Sequence, residues 1–293
     1  MAEMIGRGRP EADDRGQMIL VAGVILAVLF VALALLVNAA IYTDNVATRG
    51  GDSAGEALEY QAGVVDSVGG LIDAENANES HATIGDIELA VDGGINEIDG
   101  ANRQSHLRRG AATKITYTGN TESGLLLRES GANEFGNWEA NASAVRGFVI
   151  DLDTSSMTDD SAFVIDLDGT TIGVKLNETD GEVTVSGGTE NIDCAVSDDP
   201  FVRFDVTGER LGGEPCRFGW PALGTDSEIG IRNGANGGGS YDLTIVDEDA
   251  PTPTGSPPET TDALYSVELD LRIDTPELSY ERTVRIAPGE PDV

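Results

Sequence analysis

The longest apolar segment of the chain runs from Gln17 to Ile41 and contains no charged residue. Its central part, Met18–Val37, is long enough as a helix, at about 1.5 Å per residue, to cross a hydrocarbon core of roughly 30 Å. Only a helix satisfies its own backbone hydrogen bonds in lipid, so residues 17–41 predict a single transmembrane helix. A signal peptide cut near Ala39 is the alternative, although the apolar run is longer than the usual core of such peptides.

Apolar residues then follow a helical period in two further segments. The polar segment Asn76–Thr83 separates them and predicts a turn. Residues 42–110 are therefore expected to form a short helical region, either paired as a stalk or lying across a sheet. The two stripes consist of Leu58, Ala62, Val65, Val68 and Ile72, and of Ile84, Ile87, Val91, Ile95 and Ile98.

From Lys114 onward the period changes to two, the period of strands with one buried face and one solvated face. In the clearest segment, Tyr265–Asp274, apolar and polar residues alternate without interruption. Residues 111–293 therefore predict an antiparallel β-sandwich. The proline-rich segment Ala250–Thr261 predicts a surface loop, since proline does not fit a central strand. Similar alternation occurs in Val145–Asp153, Phe163–Asp168, Val202–Val206, Ile229–Ile231 and Tyr241–Val246.

These patterns predict an α+β fold with a single N-terminal transmembrane helix, a short helical stalk and an antiparallel β-sandwich-like ectodomain. Residues 1–16 carry mixed charge and no apolar period, and they predict a cytoplasmic leader. Arg7, Arg9 and Arg15 precede the apolar segment, so the positive-inside rule places the N-terminus in the cytoplasm. The expected localisation is the cell membrane, with one pass through the lipid bilayer and an extracellular C-terminal domain.

The formal net charge of -34 changes the list of expected partners. Such a surface repels nucleic acid, which is excluded as a partner. Apolar residues make up 40% of the chain, which favours a folded protein over a disordered one. At molar salt the Debye length falls to about 3 Å and screens the self-repulsion, so we expect a halophilic protein.

The two cysteines agree with export from the cytoplasm. Cys194 and Cys216 both lie in the acidic C-terminal region, and a pair in an exported protein normally forms a disulfide. Three N-x-S/T sequences, at Asn78, Asn141 and Asn177, are candidate N-glycosylation sites. No cofactor or metal site is predicted.

The segment Phe163–Thr170 reads FVIDLDGT and resembles the DxDGT motif of the haloacid-dehalogenase family of phosphohydrolases. The resemblance implies a nucleophile at Asp166 and a general acid/base at Asp168, after a buried parallel strand. The same letters FVIDLD already occur at Phe148–Asp153, which favours a strand with acidic residues on its wet face. We therefore expect Asp166 and Asp168 to point to solvent from an antiparallel strand or its turn, and we predict no enzyme.

Other candidate sites are weaker. His81 and His106 have no accompanying serine motif that would indicate a catalytic triad. Acidic pairs such as Asp151/Asp153 and Asp159/Asp160, and the run Asp247–Asp249, offer oxygen ligands for Ca²⁺ without the spacing of an EF-hand. A carbohydrate-binding platform would need exposed aromatic rings, and the candidates are Trp138, Trp220 and Tyr241.

The triplet Arg15-Gly16-Gln17, directly before the apolar segment, resembles the processing site of archaeal type IV pilins and archaellins. The overall character also resembles haloarchaeal pilin-like surface proteins. The resemblance implies cleavage between Gly16 and Gln17 by a prepilin peptidase, retention of the apolar helix, and other pilin-like subunits as partners. A filament subunit and a stationary anchor both remain open, because Val21 occupies the fifth mature position where bacterial-type pilins usually have Glu.

The predicted function is a membrane-inserted, externally exposed structural or adhesive protein, as a pilin-like subunit or a pilus-associated minor component. One alternative is a membrane-anchored extracellular β module that binds a ligand such as carbohydrate or Ca²⁺. An anchored hydrolase is a further alternative and would require clustered carboxylates.

Overall fold

A computed structural model describes residues 30, 33, 54–177, 179–225, 227–246 and 252–291. The chain divides into two units, residues 1–58 and 59–293. The leader 1–16, the processing site at Gly16 and Gln17, and nearly all of the predicted span 17–41 lie outside the described residues. Within that span only Phe30 and Leu33 are described, and both are helical and exposed.

Two helices precede a long series of strands in the described part of the chain. Helix α1 covers residues 54–76 and helix α2 covers Ile84–Leu107. Single 3-10 turns occur at Thr154–Ser156 and Gly234–Asn236. The strands are β1 Ala112–Ala132, β2 Trp138–Asn141, β3 Ala144–Asp153, β4 Phe163–Leu167, β5 Thr170–Asn177, β6 Glu182–Gly187, β7 Ile192–Ser197, β8 Phe201–Asp205, β9 Arg210–Leu211, β10 Glu214–Pro215, β11 Glu228–Arg232, β12 Gly239–Val246, β13 Thr254–Gly255, β14 Glu259–Asp274 and β15 Ser279–Ile286.

The strands form two antiparallel sheets that enclose an apolar core. The eight-stranded sheet has the order β10-β9-β8-β3-β12-β1-β14-β15, and the seven-stranded sheet has the order β13-β2-β11-β4-β5-β6-β7. Alternate residues of both sheets, such as Phe148 and Ile150 of β3 and Phe163 and Ile165 of β4, are fully buried between them. This arrangement agrees with the predicted β-sandwich.

The predicted fold class, α+β with a transmembrane helix and a helical stalk, is wrong. Strands account for 47% of the described residues. No helix within the described ranges is both long enough and apolar enough to cross a bilayer. The helical region is not a free stalk either, because α2 packs against β1 and β14. An apolar stripe on a helix must be covered, and here the free face of the eight-stranded sheet covers it.

Helix α1 buries a different stripe from the predicted one. Within residues 59–76, its buried apolar side chains are Tyr60, Val64, Val68 and Ile72. Of the predicted positions, Val68 and Ile72 are correct, whereas Leu58, Ala62 and Val65 are exposed or half-buried. The Tyr60 hydroxyl donates a hydrogen bond to the carbonyl of Lys114 at the start of β1, which fixes the face that α1 turns to the sheet.

Helix α2 begins at a capping box. Asp86 N donates to Thr83 Oγ1 at 3.4 Å, and Thr83 N donates to Asp86 Oδ2 at 3.0 Å. The hydrogen bond from the Thr83 side chain holds the pKa of Asp86 below its ordinary value. One turn further, Ile87, Val91 and Ile95 are buried, as the second stripe predicts.

The predicted face of β14 is confirmed residue by residue. All five of its apolar positions are buried, while Asp270 and Arg272 on the opposite face are exposed. This face and the two helices form a second apolar layer beside the sandwich core. Its members from β14 are Tyr265, Val267, Leu269, Leu271 and Ile273.

A buried arginine joins the helices to the sheet. Arg146 of β3 is 2% exposed, and its Nη1 donates to Asp73 Oδ1 of α1 at 2.6 Å and to the carbonyl of Pro288 at 3.2 Å. Its Nη2 donates to the carbonyl of Leu264 in β14 at 2.9 Å, and its guanidinium lies 5.7 Å from the centre of the Tyr265 ring. One side chain thus connects α1, β3, β14 and the segment after β15.

A bulge at Gly147 directs Arg146 toward the helices. The pairing of β3 with β12 shifts register between Asp242 and Thr244, and Gly147 has a φ of 61°. A bulge of this kind inserts one extra residue into a strand, so the alternation of inward and outward side chains shifts by one position. Val145 and Phe148 therefore both enter the sandwich core, and Arg146 faces the other layer.

The predicted disulfide between Cys194 and Cys216 is present, with the two Cα atoms 5.8 Å apart. Cys194 lies on β7, the edge strand of the seven-stranded sheet, and Cys216 directly follows β10, the edge strand of the eight-stranded sheet. The bond therefore ties the two sheets together at one side of the sandwich.

Removing the carboxylate that faces Arg146 tests the role of the buried arginine. We expect Asp73→Ala to lower the free energy of unfolding by about 2 kcal/mol, less than for a fully buried pair because Asp73 is half exposed. Asp66→Ala, on the exposed side of the same helix, is the matched control and should change it by less than about 0.5 kcal/mol. Equal effects of the two variants in urea titration would contradict the role given to Arg146.

Removing the disulfide tests whether it stabilises the sandwich. The double variant Cys194→Ala/Cys216→Ala should lose roughly 3 kcal/mol, as the chain-entropy model gives for a loop with a sequence separation of 22. The measurement is urea unfolding followed by circular dichroism. A reducing agent should lower the midpoint of the wild type and leave that of the double variant unchanged. A double variant as stable as the wild type would refute the prediction.

Candidate functional site

The FVIDLDGT segment forms a β-hairpin. Strand β4 lies between β5 and β11 and is antiparallel to both. Asp168 and Gly169 connect β4 to β5 with φ angles of 52° and 79°. Two positive φ angles at an Asp-Gly pair between strands are the signature of a type I′ hairpin turn. The resemblance to the haloacid-dehalogenase motif is therefore local, since that family places its first Asp after a parallel strand.

The two aspartates of this segment have different environments. Asp168 is exposed in the turn, as expected, but the prediction that Asp166 points to solvent is wrong, because Asp166 is 2% exposed. Asp166 Oδ1 accepts a hydrogen bond from Gly169 N at 2.9 Å. Asp166 Oδ2 lies 2.5 Å from Arg232 Nη2. Within the described part of the chain this oxygen accepts no hydrogen bond, so the ion pair with Arg232 compensates its negative charge.

Strand register explains this burial. Asp166 stands opposite Gly230 of β11, and Arg232 is the next outward-facing residue of that strand. Gly230 has no side chain, so the arginine can lie across the outer face and cover the carboxylate. Glu228 Oε1 forms a second ion pair with Arg232, 3.4 Å from the same Nη2 atom. The result is a fixed guanidinium on the outer face of the seven-stranded sheet.

A cavity of about 200 Å³ lies under the connection between α1 and α2. Asn76 closes it on one side, since its amide donates to the carbonyl of Leu264 at 2.9 Å and its Oδ1 accepts from Leu264 N at 2.8 Å. His81 Nε2 lies 2.7 Å from Glu75 Oε2. Arg128, which also lines the cavity, is paired with Asp242 at 2.8 Å. Asn76, His81 and Arg128 therefore already have hydrogen-bond or ion-pair partners within the fold.

The two histidines cannot act together. His81 precedes α2, and His106 lies in its last turn, where the ring packs edge-on against Tyr60 at 5.3 Å. Twenty-five residues along a helical path separate them by about 35 Å.

The aromatic residues proposed as a carbohydrate platform do not form one. Trp138 and Tyr241 are buried in the sandwich core, and Trp138 Nε1 donates to the Tyr241 hydroxyl at 2.8 Å. Burial raises the pKa of Tyr241 well above its ordinary value. Trp220 is half-buried and packs against Phe218.

The acidic pair Asp151/Asp153 is engaged in local structure. Asp151 pairs with Arg203 at 3.5 Å, and Asp153 Oδ1 accepts from Ser155 N at 3.0 Å, where it caps the following 3-10 turn. In the part of the chain that the structure describes, no group of three or more acidic, His or Cys side chains is suited to hold a metal ion. The run Asp247–Asp249 lies outside the described residues.

The three candidate glycosylation sites occupy different positions. Asn78 is exposed in the α1–α2 connection, and Asn141 is exposed at the end of β2. Asn177 is half-buried at the end of β5, where its amide contacts Asp180.

The chain matches a protein-family model. The model of a family described as "Family of unknown function (DUF7261)" matches residues 12–171, more than half of the chain. The matched range contains the apolar N-terminal segment, both helices and the hairpin turn after Asp166, whereas Arg232 lies beyond it. No curated protein and no solved structure matches the chain.

Substitution of Arg232 tests whether it compensates Asp166. We expect Arg232→Gln to lower the free energy of unfolding by about 2 kcal/mol, because it leaves a buried carboxylate without its counter-charge. Arg203→Gln removes an exposed ion pair of the other sheet and should cost less than about 0.5 kcal/mol. Urea titration of both variants at neutral pH measures the difference, and similar values for the two would refute the assignment.

Proposed function

This chain belongs to the family of unknown function DUF7261, and we propose that it is an externally exposed structural or adhesive protein, attached to the cell membrane by its apolar N-terminal sequence. In this proposal it is a pilin-like subunit or a pilus-associated minor component, without an enzymatic role. Its partners are the lipid bilayer, a prepilin peptidase and other pilin-like subunits.

The observation that carries the proposal is the attachment of residues 59–76 to the sheet. This part of α1 follows the apolar N-terminal sequence along the chain, and its stripe from Tyr60 to Ile72 is buried. The ion pair of Asp73 with Arg146 adds a polar connection to β3. A pull on the N-terminal side of α1 would therefore be transmitted to the sandwich, as a structural or adhesive protein requires.

Two further features support a place outside the cell. The disulfide between Cys194 and Cys216 suits an oxidising environment. The net charge of -34 suits a surface in contact with concentrated salt.

A second candidate function, an extracellular ligand-binding module, is favoured by one specific observation. An open groove of about 550 Å³ lies on the outer face of the seven-stranded sheet, beside the fixed guanidinium of Arg232.

The processing of the N-terminus tests the first proposal. We expect the protein extracted from membranes to begin at Gln17, because removal of the charged leader exposes an apolar segment that can pack against other copies through small residues. Intact mass and N-terminal sequencing measure the start. Gly16→Phe should abolish cleavage, whereas Gly6→Phe, within the leader, should leave it unchanged.

Two results would count against the pilin-like assignment. A chain that still begins at Met1 or Ala2 has not been processed. A chain that begins at Ala40 has lost its apolar segment to a signal peptidase. Electron microscopy of the cell surface, with antibodies to the C-terminal region, then separates a filament subunit from a stationary anchor.

A further inference from the structure

One row of residues crosses the outer face of the seven-stranded sheet. The register places these residues directly opposite one another on five neighbouring strands. With neighbouring strands about 4.8 Å apart, the row is roughly 19 Å long. It carries a guanidinium at one end, a carboxylate at the other and small side chains between them. The row is Arg232 on β11, Val164 on β4, Gly173 on β5, Ser186 on β6 and Asp193 on β7.

The groove exists because its central positions lack bulky side chains. Gly187 has a φ of 108°, and a Cβ there would meet the carbonyl oxygen of Thr171, so the backbone itself requires glycine. Gly173 is different. A Cβ at this position would lie 3.6 Å from Ser186 Oγ and 3.7 Å from Ala162 Cβ, which are ordinary contacts.

Nothing in the backbone therefore explains glycine at position 173. Glycine weakens the interior of a strand, and it often marks a place where a ligand approaches the backbone closely. The observable effect of Gly173 is to keep the middle of the groove open.

The lining offers hydrogen-bond donors and acceptors in a mixed arrangement. Both ion-pair contacts of Arg232 use Nη2, whereas a guanidinium has five N–H donors in all. Asn191 and Asn233 line the same groove from backbone positions with φ near 50°. Thr171 and Ser186 add hydroxyls, and these both donate and accept.

This chemistry matches a ligand with many hydroxyl groups, since each sugar hydroxyl also donates and accepts. The charges argue against an acidic ligand. Among the described lining residues only Arg232 carries a guanidinium, and Asp166 and Glu228 balance it. Asp193 adds a further negative charge. An extended peptide would instead favour a sheet edge or apolar pockets, and the row runs across central strands.

We propose that this groove binds a neutral, linear oligosaccharide. The proposal deepens the ligand-binding candidate and rests on it, but it requires neither N-terminal processing nor filament assembly. The described residues that line the groove include no aromatic ring for stacking, so we expect weak binding, with a Kd on the order of 1 mM.

The test uses the full chain, extracted in detergent and kept in concentrated salt. Saturation-transfer difference NMR is recorded with maltotriose, cellotriose, mannotriose and chitotriose as neutral probes, and with sialyllactose as an anionic probe. We expect saturable binding of at least one neutral probe and none of sialyllactose.

Gly173→Val fills the groove with a residue that suits a strand, and it should weaken binding at least tenfold. Thr184→Val is the matched control, because it places the same side chain on the same face of the sheet, on the neighbouring strand β6 and one row away, outside the groove lining. The control should bind as the wild type does. Circular dichroism establishes that both variants are folded.

Asp193→Asn keeps the test decisive if Gly173→Val does not fold, because Asp193 is exposed and its substitution should leave the sheet intact. It should weaken binding about tenfold through loss of a charged acceptor. The proposal is overturned if no neutral probe binds at about 10 mM, if only sialyllactose binds, or if either folded variant, Gly173→Val or Asp193→Asn, binds normally. None of these outcomes would bear on the N-terminal processing test.

Discussion

The need to compensate one buried cation shapes the arrangement of four segments of this chain. A guanidinium removed from water is stable only with hydrogen-bond acceptors and a counter-charge close by. Arg146 obtains them from α1, from β14 and from the segment after β15, and none of these is its neighbour in sequence. Since each partner alone would leave the cation largely uncompensated, the helix layer, the sheet and the C-terminal segment should form together rather than in separate steps.

The outer face of the seven-stranded sheet follows the same electrostatic rule with the signs exchanged. There a carboxylate, Asp166, is buried, and an arginine from another strand covers it. The two arginines differ in exposure. Arg146 is buried, whereas the side chain of Arg232 is half exposed to solvent. A charged group that is fixed on one side and accessible on the other is suited to meet a ligand, whereas an enclosed one serves the fold alone.

Patterns within one strand could be read from the sequence, and patterns that depend on distant partners could not. The alternation in β14 gave its buried face correctly from Tyr265 to Ile273, because a period of two depends only on the strand itself. The antiparallel strand and turn around Asp168-Gly169 could also be predicted, because an Asp-Gly pair between strands is a local hairpin signal. The burial of Asp166 depends on Arg232, and the groove depends on the register of five strands. The helical stripes showed that a face is buried but not that a sheet buries it.

The disulfide has a mechanical consequence for the sandwich. The segment between Cys194 and Cys216 contains β8, β9 and β10, with which the chain passes from one sheet to the other. When the chain is stretched from its ends, tension bypasses this segment through the covalent bond. The 22-residue separation corresponds to roughly 75 Å of extended chain that stays hidden from the applied force. The oxidised protein therefore has a shorter contour length than its sequence allows, and its two sheets cannot be drawn fully apart.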